Sequence, residues 1–209
     1  FKKLKKTLPY FKKDDIFYYW YRKKKEAQII LKQKSKKDSL NYISFEFNKI
    51  VEPNDKMIID LANFYKNSKN YETAIKYYSK VIQNIENNSD IKSDLLYRRG
   101  GSYERMGDYL NADKDLLASL SINPDDAYVL NYLAYSWLER DHKINEAIEM
   151  LERAYKQENN DPYIIDSIGW AYYLIDDFIQ AEKLLRKAVQ LMPDDPIVND
   201  HYGDILWKL

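Results

Sequence analysis

The chain has 209 residues, 33 basic and 33 acidic side chains, 45% hydrophobic content and no cysteine. Without cysteine there can be no disulfide, thiolate metal site or thiol catalysis. With only 5 Gly and 6 Pro, the composition suits long helices rather than a β-sandwich or a disordered chain. No run of about 18 apolar residues occurs, so no helix of the sequence is suited to spanning a membrane.

The formal net charge of zero hides an asymmetry, because residues 1–37 carry 14 Lys or Arg against 3 acidic residues. That basic opening begins at Phe1 without a signal peptide, which reads as a piece of a longer protein. Residues 1–13 are expected to be a basic arm or the end of an upstream helix. Residues 14–34 are predicted as a helix, capped by Asp14 or Asp15, with Ile16, Trp20, Ala27, Ile30 and Leu31 on one side. Residues 38–51 follow as a second helix with Leu40, Ile43, Phe47 and Ile50 at helical spacing, ended by Pro53. The two form a degenerate hairpin over 14–54.

From residue 55 onward the chain repeats itself. Ala62, Gly100, Ala134, Gly169 and Gly203 form a ladder of small residues with steps of 38, 34, 35 and 34. A second ladder runs through Ala74, Ala112, Ala147 and Ala181, and a third through Val81, Ser119, Ala154 and Ala188. A large apolar ladder, Tyr65, Tyr103, Trp137, Tyr172 and Leu206, trails the first by three residues. Within a unit the spacing is helical: Ile165, Ile168, Gly169 and Tyr172 share one helix face, and Ala181, Leu185 and Ala188 another. Small residues mark where two antiparallel helices cross closely. One such hairpin cannot bury its apolar face alone, so several must stack. The 38-residue step puts about four extra residues near 87–92, and the 35-residue step puts one at Asp141-His142-Lys143.

The run Ser93–Asp126, with Leu96, Gly100, Tyr103, Gly107-Asp108-Tyr109, Ala112, Ser119 and Pro124, resembles the tetratricopeptide repeat. So does Pro162–Asp195, with 55–88 and 127–161 matching through small departures and 196–209 a partial repeat. From Leu130 onward the sequence is also similar to the C-terminal half of long bacterial tetratricopeptide proteins, some of which are envelope adaptors. The resemblance implies an all-α fold, an α-α superhelix of antiparallel hairpins over 55–209. It also implies a non-enzymatic scaffold in the bacterial cytoplasm or cell envelope.

In that family the first helix of each hairpin lines a concave groove. Carried onto this sequence, the groove would present Tyr97 and Arg98, then Tyr128, Asn131, Tyr132 and Tyr135, then Tyr163, Asp166, Trp170 and Tyr173, and finally His201 and Trp207. Tyr and Trp bury much area with few rotamers to freeze, which suits a binding surface. Asn131 can both donate to and accept from a peptide backbone. A partner protein or an extended peptide with apolar or basic side chains is the ligand this trend favours. A chaperone-tail clamp fits poorly, since Ile59 and Asp166 stand where it would need cations or amides.

The competing reading is RNA or an anionic surface held by the basic segment, with Phe17, Tyr18, Tyr19 and Trp20 interleaved among lysines. Self-association through the terminal repeat is a third. His142 and His201 lack metal-ligand spacing. The pairs Asp125-Asp126, Asp176-Asp177 and Asp194-Asp195 stand at helix starts, where carboxylates cap N–H groups. No catalytic, cofactor or metal site is expected.

Overall fold

The computed structural model describes residues 16–86 and 89–209, which form eleven α-helices and no strand among the described residues. They group into two compact units, one ending at Ile85 and the other beginning at Glu86. The first contains α1 (Ile16–Gln33), α2 (Lys36–Phe47), α3 (Asp55–Asn67) and α4 (Tyr71–Ile82). The second contains α5 (Asp90–Glu104), α6 (Tyr109–Ile122), α7 (Ala127–Leu138), α8 (Ile144–Gln157), α9 (Pro162–Leu174), α10 (Phe178–Leu191) and α11 (Pro196–Lys208). Asp14, Asp15 and the basic arm lie outside the described residues.

In both units consecutive helices pair as antiparallel hairpins, and in the second the hairpins stack over one continuous core from Leu116 to Val198. The small residues stand at the crossings. A Cβ built on Gly100 would lie 2.9 Å from Leu116 Cγ, and one on Gly169 would lie 2.8 Å from Leu185 Cγ. Ala62, Ala74, Ala112, Ala134, Ala147, Ala154, Ala181 and Ala188 are all buried.

The aromatic ladder has a further job at the turns. The carbonyls of Tyr65, Tyr103, Trp137 and Tyr172 accept from the N–H groups of Asn70, Asp108, His142 and Asp177 at 2.9–3.0 Å. One residue earlier, Lys69, Gly107, Asp141 and Asp176 have positive φ, and each N–H bonds back three residues. This pair of bonds around a left-handed residue is the Schellman motif, which satisfies the last carbonyls of the helix. In three of the turns the next residue, Asn70, Asp108 or Asp177, also caps the following helix with its side chain. The α7–α8 turn is the exception. Its extra residue shifts the cap position to Lys143, itself left-handed and without a side-chain cap bond.

The N-terminal hairpin lacks the small-residue ladder, and polar groups join its helices instead. Ser39 donates to the Ala27 carbonyl at 2.7 Å, and Trp20 packs edge-on against Phe47. Glu26 and Glu46 are both buried. Tyr42 donates to Glu26 and Tyr19 to Glu46, while the Lys23 ammonium lies 3.0 Å from Glu26 and 3.8 Å from Glu46. Ile16, expected on the packed side, is 46% exposed. The second helix ends at Phe47 rather than running to 51, with Ile50 bonding back to Phe47 in a tighter turn.

Burial alone would raise the Glu26 and Glu46 pKa values, but the donors reverse this and leave both below the ordinary glutamate range. The contribution of such a carboxylate is fully present above its unfolded pKa of about 4.3 and is lost as pH falls through the depressed folded value. Protection factors from amide exchange in α1 and α2 are therefore expected to drop as pH falls below about 4.3. Glu26→Gln should flatten that dependence, and an unchanged pH profile in the variant would show the network has no such role.

Candidate functional site

The first helices of the last two hairpins, α7 and α9, and the final helix α11 begin in the same way. Asp126, Asp161 and Asp195 each cap their helix by accepting from two N–H groups, and Pro162 and Pro196 supply fixed φ at the first turn. Identical starts set the three helices at the same register, and α9 lies beside both α7 and α11. The face they share with the end of α5 encloses a cavity of about 500 Å³.

Five residues expected in the groove line this cavity: Asn131, Tyr132, Tyr135, Tyr163 and Asp166. The Tyr132 hydroxyl donates to Glu104 at 2.9 Å, and its ring meets Tyr97 edge-on with centroids 5.7 Å apart. The Asn131 side-chain carbonyl is buried with no hydrogen-bond partner. A buried acceptor left unpaired costs about 1–3 kcal/mol, so it is a group a donor could satisfy.

A second cluster adjoins the first. His201 Nδ1 lies 2.9 Å from Asp166 Oδ2, both side chains buried. Trp170 stacks on His201 at 4.2 Å and on Tyr173 at 4.7 Å. Tyr135 approaches the same histidine ring at 6.3 Å. Burial raises the Tyr135 phenol pKa, reinforced by the charges of Glu139 and Asp166 and by its hydrogen bond to Glu139. The phenol therefore stays neutral beside two carboxylates.

Trp170, Tyr173 and His201 thus pack beside the lining residues Asp166 and Tyr135 without lining the cavity themselves. Tyr97 does the same for Tyr132, and Arg98 pairs with Asp94 at 2.8 Å on its own helix. Tyr128 stands on the surface, 54% exposed, and Trp207 is 90% exposed away from the cavity. Several lining residues escaped the reading of the sequence: Tyr109, Arg140, Asp195 and Ile197 among them. They belong to helix starts and ends, where the repeat pattern assigns no groove position.

The competing aromatic cluster is divided. Trp20 is buried and the Tyr19 hydroxyl is engaged by Glu46, while Phe17 and Tyr18 are exposed. Residues 1–13 lie outside the described residues. No helix is long and apolar enough to cross a membrane among the described residues.

Comparison with known proteins agrees with the repeat. The family model described as tetratricopeptide repeat matches residues 56–88 and 93–126. A tetratricopeptide repeat-containing protein of Pseudomonas aeruginosa is 37% identical over 111 residues, 53% of this chain and 19% of that protein. The chain therefore corresponds to about a fifth of that relative's length. Among solved structures, a tetratricopeptide repeat protein of Parabacteroides merdae has a TM-score of 0.68 at 12% identity, covering 90% of this chain and 73% of that one. YrrB, a tetratricopeptide protein with an unusual peptide-binding site, has a TM-score of 0.60 at 16% identity, covering 100% and 97%. Residues 56–88 and 93–126 thus match the tetratricopeptide repeat, and the all-helical hairpin fold of the chain is that of solved tetratricopeptide-repeat structures.

Proposed function

We propose that the cavity lined by Asn131, Tyr132 and Tyr135 holds an extended segment of a partner protein. The observation that carries this is the buried, unpaired carbonyl of Asn131 on the wall of an aromatic groove. A backbone N–H of an extended segment supplies the donor that carbonyl lacks, and the tyrosine faces bury the segment's apolar side chains. YrrB's peptide-binding site on the same fold supports the reading. An adaptor role for this region is carried by the sequence resemblance to long bacterial tetratricopeptide proteins. A cell-envelope setting is carried by the sequence resemblance alone.

The test is capture from a native extract by the wild-type chain and by Asn131→Ala and Tyr135→Ala. Loss of one interface hot spot typically costs 2 kcal/mol or more, so partner recovery should fall by about 30-fold. Both variants should melt near the wild-type temperature. An unchanged set of captured proteins from folded variants sinks the assignment.

A further inference from the structure

We propose that the segment bound in this groove seats a cationic side chain, a lysine ammonium or an arginine guanidinium, beside Tyr135 between Glu139 and Asp166. This rests on the groove reading above and adds the chemistry of its ligand.

The groove is unequally charged. Four carboxylates, Glu104, Glu139, Asp166 and Asp195, line it against two guanidiniums, Arg105 and Arg140. Arg140 is turned to other work: its Nη2 pairs with Asp113 at 2.8 Å, outside the lining, and its Nε donates to the Ser136 carbonyl at 2.8 Å. Arg105 lies 3.5 Å from Glu104 at the α5 end, with its side chain 62% exposed. The carboxylates near Tyr135 face a different environment. Glu139 accepts from the neutral Tyr135 hydroxyl, and Asp166 bonds to the His201 imidazole. Negative charge is therefore concentrated at the Tyr135 end of the groove.

Aromatic faces complete the site. The rings of Tyr132, Tyr135 and Tyr163 line the same cavity, and a cation over such a face is attracted by the ring quadrupole while its alkyl stem packs against the ring. The buried Asp166 is held by its own bond to His201, on whose ring face Trp170 stacks, so the carboxylate is already oriented before a ligand arrives. A segment rich in Asp or Glu meets like charge in a partly desolvated groove and is rejected.

The experiment is selection of a random dodecapeptide phage library on the full chain, with each enriched clone re-tested on Tyr135→Ala. Clones that need Tyr135 should carry about threefold more Lys and Arg than the naive library. A synthetic peptide from one of them should bind Glu139→Gln about fivefold more weakly, and should weaken as salt rises and the Debye length shrinks. Glu139 is exposed, so this variant should keep its melting temperature. Clones that need Tyr135 yet are neutral or acidic, or peptides indifferent to Glu139→Gln, overturn the cation site and leave groove binding standing. Failure to obtain any clone that needs Tyr135 overturns the groove reading itself.

Discussion

Arg99→Ala should lower the unfolding free energy by about 3 kcal/mol, because it strands a buried carboxylate. Arg99 on α5 reaches Asp115 on α6 with two bonds, Nε at 2.6 Å and Nη2 at 2.8 Å, and Asp115 is only 4% exposed. Removing the guanidinium deletes both donors and leaves the charge without compensation. Replacing both residues by leucine should recover most of the loss, because apolar side chains need no partner there. Urea denaturation of the wild type and the two variants checks this, and equal stability of wild type and Arg99→Ala would show the pair contributes nothing.

Gly169→Ala should cost about 2 kcal/mol, whereas the same change at Gly203 should be neutral or stabilising. The added methyl at position 169 would lie 2.8 Å from Leu185 Cγ and 3.2 Å from Leu184 Cβ, so α9 and α10 must separate to admit it. At Gly203 nothing lies within 4 Å, and only the better helix propensity of alanine remains, worth up to about 1 kcal/mol. Both glycines occupy the same rung of the repeat, which makes the contrast a test of helix crossing rather than of residue type. Thermal melts of the two variants decide it. A loss of equal size at both positions would mean the crossing is not what Gly169 serves.

Those two glycines also mark what could be read from the sequence. A ladder repeating at 34 to 38 residues reports contacts that every hairpin makes alike, so the sequence alone places Gly100, Ala134 and Gly169 at crossings. Groove residues on first helices, such as Asn131 and Tyr135, inherit their direction from that register. Tyr109, Arg140 and Asp195 do not, because each comes from a helix end whose direction depends on the local turn. The N-terminal hairpin was harder for a different reason. Its helices are joined by Glu26 and Glu46, and a pattern that assigns charged residues to solvent cannot foresee two glutamates buried by tyrosine and lysine partners. The same logic misplaced Ile16, which periodicity put inside and the structure leaves out.

The repeated turn bears on how the chain acquires its shape. Each reversal is specified by about six neighbouring residues, and the knob that locks it lies close by, as Leu116 does for Gly100. Every hairpin can therefore close by local search, without waiting for distant segments, and such topologies assemble rapidly. Damage to one reversal should remain confined to its neighbours. The α7–α8 junction, with two left-handed residues and an uncapped helix start, is where fraying of the stacked hairpins should begin.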